Sequence, residues 1–143
     1  MEKLKMKPVL TLEFAKAILK AAEEEADKNG WNVAIAITDD RGELISFIRK
    51  DDTTHAAIEI AQKKAFHAAN YRRDTLFHEK ILSEGNENIA VLSLPNVMPV
   101  EGGIQLIYKG NVVGAIGVSG SASYNDGQVA QKGCEMFNKL LEE

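Results

Sequence analysis

Ile104-Gln105-Leu106-Ile107-Tyr108-Lys109-Gly110-Asn111-Val112-Val113-Gly114-Ala115-Ile116-Gly117-Val118-Ser119 is the stretch that decides the fold class. Two apolar runs of strand length flank Lys109-Gly110-Asn111, which carries turn chemistry. Such a pair predicts a hairpin, and hairpin-linked strands give an antiparallel sheet. Gly114 and Gly117 interrupt the second run. A glycine inside a strand marks a bulge or the close approach of another backbone or a ligand.

Working outward, Ile89–Leu94 reads as a further strand, and 95–99 as an irregular loop between two prolines. Glu101-Gly102-Gly103 opens the hairpin. Beyond it, Ser123 and Asp126 have capping-box spacing. The helix they open carries Val129, Gly133, Met136, Phe137 and Leu140 on one side. Upstream, Thr11 predicts an N-cap, and Leu12, Ala15, Ile18, Leu19, Ala22 and Ala26 recur at helical spacing until Asn29-Gly30. Glu23, Glu24, Glu25 and Lys28 fall on or near its wet face. Val33–Ile37 is a continuous apolar run, read as a strand buried on both faces. Asp39-Asp40-Arg41-Gly42 turns it into Leu44–Ile48. A second helix over about 54–70 holds six alanines between Ala56 and Ala69. Small side chains there allow close approach to a sheet or to a partner helix. A short helix follows Thr75. The expected order α-β-β-α-α-β-β-β-α gives an α+β fold: a three-layer α/β/α sandwich with a five-stranded antiparallel sheet.

The 143 residues suit one domain, spanning 1–143 with 1–9 as a tail. With 45% apolar and 27% charged residues the chain has an ordinary globular composition. A net charge of −4 without a basic block argues against nucleic acid as a partner. No run approaches the length of about 20 apolar residues that a membrane helix needs. Lone Cys134 has no intramolecular disulfide partner and no Cys/His neighbours for zinc. The opening Met-Glu-Lys-Leu-Lys-Met-Lys lacks a hydrophobic signal core. The expected place is the cytoplasm.

Several pieces, in order, resemble the GlcG/HbpS (haem-degrading domain) family, which is related to the PduO C-terminal domain. They are Leu10-Thr11-Leu12, the Ile37–Leu44 turn with Asp39 and Gly42, Arg49 after the second strand, Ala61-Gln62-Lys63-Lys64-Ala65, Gly102-Gly103, and Gly114–Gly120 followed by Asp126. The resemblance spans about residues 10–141. It implies a profilin-like sandwich, assembly as dimers or larger rings, and a small-ligand pocket with haem as a candidate. Other members sit beside glycolate or diol utilisation genes. This chain lacks the second glycine that often follows Val-Ser-Gly, and the proline common after Gly-Gly.

The residues marked for ligand binding are Arg49, Lys64, His67, Gly102, Gly103, Ser119 and Gly120. Lys64, beside the apolar stripe of its helix, either snorkels or meets an anion such as a ligand carboxylate or haem propionate. Arg49 offers a carboxylate a rigid fork, or pairs with Asp51 or Asp52. His67 shares a helix face with Ile60, Lys64 and Tyr71, which makes it the candidate axial ligand among His55, His67 and His78. The alternative for each histidine is a structural role. The glycines either present N–H groups to an anion or serve turn geometry. Asp126 reads as the capping-box acid. Ser119 has no base and no nucleophile elbow, which excludes a serine hydrolase. No metal-ligand spacing and no catalytic set stands out. The expected function is small-ligand binding, of haem or a small carboxylate, by a homo-dimer or higher oligomer. The alternative is an enzyme or accessory protein of small-molecule (glycolate or diol) catabolism.

Overall fold

Helix α1 (Leu12–Asn29) begins where the Thr11 hydroxyl accepts the Phe14 N–H and stops at Gly30, left-handed at φ 71°. The computed structural model describes residues 3–143, so the first two residues of the expected tail lie outside it. After α1 come strands β1 (Ala34–Asp39) and β2 (Leu44–Arg49), then helices α2 (His55–Tyr71) and α3 (Thr75–Ser83). A 3-10 helix, Asn86–Ser93, follows. Strands β3 (Gly103–Tyr108) and β4 (Asn111–Ser119) and helix α4 (Ser123–Glu142) complete the chain. Among the described residues no helix is long and apolar enough to cross a membrane.

The sheet is antiparallel with order β2-β1-β4-β3. Among the described residues it has four strands, not five. Ile89–Leu94, expected as a strand, lies in and just after the 3-10 helix, which buries no residue. Ile89 and Leu92, three apart, eclipse each other in a 3-10 turn rather than alternating across a pleat. They stay 64% and 57% exposed. Gly85 and Asn86, both at positive φ, turn the chain into this helix rather than into an extended run.

Alternation along β1 divides the core. Ile35 and Ile37 join Ile18, Ile116, Val118 and Phe137 beneath α1 and α4. Ala34 and Ala36 join Ala57, Ala61, Ala65, Ala68 and Ala115 beneath α2. The small-sided face of α2 is therefore covered by the chain's own sheet, which takes it away as an argument for a partner helix. Gly117 shows how close the approach is. A Cβ there would collide with the Ala61 carbonyl oxygen and stand 2.6 Å from the Ala65 nitrogen.

Two polar residues depart from expectation. Glu25 is buried, not on the wet face: its carboxylate accepts from the Gln128 side chain at 2.7 Å across the α1–α4 seam. That hydrogen bond holds its pKa below the ordinary value. The expected capping box is also absent. Ala122 occupies the N-cap of α4 and no side chain caps it, because Asp126 turns inward.

Candidate functional site

Lys64 is the largest fully buried side chain, 1% exposed, in the middle of α2. An unpaired charge there would be costly, and the chain supplies partners. The Lys64 ammonium donates to the Val118 carbonyl at 2.9 Å and to Asp126 Oδ2 at 3.2 Å. Asp126 Oδ1 in turn accepts the Ser121 N–H at 3.0 Å. One ion pair thus joins α2, the end of β4 and the start of α4. Burial pushes both groups toward their neutral forms, and their mutual attraction opposes it. The lysine is lowered, and Asp126 is raised to about 6.

Beside the pair, Gly102 sits at φ 134°, where a Cβ would lie 2.8 Å from Lys64 Nζ and 2.5 Å from the Val118 oxygen. Gly102 and Gly103 open β3 against this point, and Gly103 donates to the Thr75 hydroxyl at 2.9 Å. On the outer side is a cleft of about 370 Å³, lined among others by Asp74, Glu101, Gly102, Tyr124, Gly127 and Gln131. The Glu101 side chain lies against Gly127, at the first turns of α4. Its pKa is raised, first by burial and then by Glu79, whose carboxylate accepts the Glu101 N–H at 3.0 Å. The lining therefore offers carboxylates, amides and a phenol, with no cation among the lining residues.

His67 and His78 form a second buried group. The Met98 N–H donates to His67 Nδ1 at 2.8 Å, and His67 Nε2 lies 2.9 Å from His78 Nδ1. Because Nδ1 of His67 accepts, its proton sits on Nε2 and is donated to His78. The remaining proton of His78 is then on its own Nε2. Burial, and then His78, lower the His67 pKa to about 4. The Tyr71 ring stands 5.1 Å from His67, and its hydroxyl donates to the Pro95 carbonyl. Together Tyr71 and His67 strap the loop after the 3-10 helix to the body. In an NMR titration His67 should remain neutral, with both rings protonated at Nε2, until the pH nears 4. An unfolded histidine takes its proton near 6.5, so this group's contribution to stability is present above that value and fades as pH falls toward 4. A midpoint at or above 6.5 would contradict the geometry.

The seven residues marked from sequence thus fall into four places. Lys64, Gly102 and Gly103 converge on the buried pair. Ser119 and Gly120 lie just past Val118, where Gly120, at φ 132°, lets the chain pass the Asn32 carbonyl. His67 faces its own hydrogen-bond partners one turn along α2. Arg49 stands apart, exposed on edge strand β2, beside a shallow hollow with Glu23 and Asn32. Among the described residues it pairs with neither Asp51 nor Asp52. Sequence reasoning missed Asp126 and Glu101 as members of the site. Two signals pointed at Asp126: its spacing from Ser123, and its place after Gly114–Gly120 in the family pattern.

The haem degrading protein HbpS-like family model matches residues 10–135. The chain belongs to the HbpS-like family. It is 40% identical over 116 residues to "Protein GlcG" of Escherichia coli strain K12, covering 81% of this chain and 85% of the relative. A crystal structure of an HbpS double mutant from Streptomyces reticuli is similar at 30% identity and a TM-score of 0.84, covering 93% and 90% of the two chains. A structure described as a PduOC:heme complex shares the fold at 24% identity and a TM-score of 0.82, over 90% and 95%. The profilin-like α+β fold of HbpS-like proteins is thus the frame of this chain, with the helices α1, α2 and α4 on its sheet.

Proposed function

We propose that this HbpS-like chain is a small-ligand-binding protein that works as a homo-oligomer and takes its ligand in the cleft between Glu101–Gly103 and the start of α4. The observation that carries this is the convergence of polar groups on a cleft of about 370 Å³, backed by the buried Lys64–Asp126 pair. Ligand sites are concave, few per protein, and gather a small number of polar groups beside perturbed titratable residues. A more apolar hollow, between Leu10, Phe14, Tyr108 and Phe137, measures about 160 Å³ and is smaller than ordinary ligand pockets.

The names of the relatives bring haem forward. It needs a flat apolar slot, an axial donor and cations for its propionates. Both His67 nitrogens already have partners, and Lys64 is held inside by Asp126. His55 is exposed at the start of α2, away from the named hollows. Among the described residues, then, neither His55 nor His67 is set as an axial ligand, and Lys64 is not free to hold a propionate. A small carboxylate would meet Asp74 and Glu101, so a neutral hydroxylated ligand suits the cleft better.

Amide NMR during titration with ethylene glycol, the simplest such probe, should shift residues 101–104 and 124–131. Saturable shifts elsewhere, or a saturable Soret band with haem instead, would overturn the reading. Assembly is supported by exposed Phe77, Ile89, Leu92 and Leu94 on α3, the 3-10 helix and the residue after it. Light scattering should give a dimer or larger, consistent with an interface above about 1,000 Å². Leu92→Asp should shift it toward monomer; a monomeric wild type at micromolar concentration would refute the assembly.

A further inference from the structure

Lys64 and Asp126 do more than neutralise each other: they lie behind a cleft whose wall at this point is two glycines and the Glu101 side chain. Gly102 lies between the Lys64 amine and the cleft, and Gly127 directly follows Asp126. The flexible group at this wall is the Glu101 side chain, which rests on Gly127 and is itself half-buried. A swing of Glu101 toward solvent would expose the pair to whatever occupies the cleft. A buried lysine with an acid at hydrogen-bond distance is the arrangement that favours imine chemistry, because burial favours the free amine and the acid supplies the proton for dehydration.

We propose that Lys64 is a nucleophilic amine that forms an imine with a small hydroxylated aldehyde or ketone bound in the cleft, with Asp126 as its proton donor. This rests on the cleft being the ligand site. With the proton of the ion pair moved onto Asp126, the Lys64 lone pair attacks the carbonyl carbon, and a Lys64 proton passes to the former carbonyl oxygen. The product is a carbinolamine. Asp126 then protonates its hydroxyl, the C–O bond breaks, and one water leaves. What remains is a protonated imine at Lys64 beside the Asp126 carboxylate. No oxidant or reductant takes part. Glu101, Asp74 and Gln131 are the groups available to the ligand's hydroxyls.

The test is reductive trapping of the full chain at pH 7 with glycolaldehyde and cyanoborohydride, followed by peptide mapping. A lowered pKa raises the free-amine fraction at neutral pH, so Lys64 should be the first lysine to take the label, ahead of the exposed ones. Lys64→Arg should lose that adduct while circular dichroism shows a folded chain. Asp126→Asn should retain a folded chain and trap more slowly. If Lys64→Arg fails to fold, the wild-type adduct map decides alone. Label spread over surface lysines with Lys64 unmodified overturns the imine. The ethylene glycol titration separates the two claims: shifts at 101–104 and 124–131 without trapping leave the cleft standing and remove the imine, while neither result removes both.

Discussion

Lys64→Met should destabilise the fold by about 3–5 kcal/mol, read as a drop in urea midpoint at unchanged slope. The cost comes from Asp126, left buried and ionisable with no counter-charge, more than from the lost attraction. It follows that Asp126→Leu in the Lys64→Met background should recover much of the loss, since an apolar pair of similar volume needs no partner. If the double variant were as unstable as the sum of the two single ones, the ion pair would not be the unit that the 3.2 Å contact indicates. The pH response has a definite sign. Asp126, raised in the fold to about 6, favours the folded state most below its unfolded value near 3.8, and that contribution is lost as pH rises toward 6. His67 acts in the opposite sense over about 6.5 to 4. His67→Gln, whose amide can accept from Met98 and donate to His78, should therefore flatten the acid side of the stability curve.

Gly117→Ala should cost about 3 kcal/mol, the upper part of the range for overpacking. The added methyl meets backbone, the Ala61 carbonyl and the Ala65 nitrogen, so no rotamer change relieves it. Gly30→Ala serves as the contrast. Beyond its chain neighbours no atom lies within 4 Å of its Cβ position, and the strain is that of a left-handed residue alone, about 1–2 kcal/mol. Chemical denaturation of both variants checks the difference. Equal losses would mean that α2 can lift off the sheet, and that the alanine-lined contact is looser than the Gly117 distances indicate.

The sequence was legible where one local rule sufficed. Thr11 and Gly30 mark the ends of α1, Lys109-Gly110 marks the β3–β4 turn, and Val33–Ile37 gives the central strand. It was misleading at Ile89–Leu94, whose apolar content suits a strand while no sheet edge in the described residues receives it. Lys64, Gly102 and Gly103 do converge on one point, but Lys64 was read as snorkelling or meeting an anion, and it is instead paired inside with Asp126. Asp126 stands 62 residues away, and its spacing from Ser123 has a sufficient local explanation. Glu25 was misplaced for the same reason: its partner Gln128 is 103 residues distant. Long-range polar pairs leave no periodic trace, and they are what shape this site.

The seam between α1 and α4 bears on how the chain comes to be folded during synthesis. The first helix and the last one complete a single apolar layer, and Asp126, on that last helix, is the counter-charge for a lysine placed in the first half. Until α4 emerges, a nascent chain holds an exposed apolar stripe on α1 and a cation with no partner at the heart of α2. Such a chain commits late, when nearly all of it has been made, and until β4 is added its half-built sheet offers β1 as an open edge to neighbours. Nascent HbpS-like chains halted before Ser123 would thus be clients for chaperones rather than stable halves of a protein.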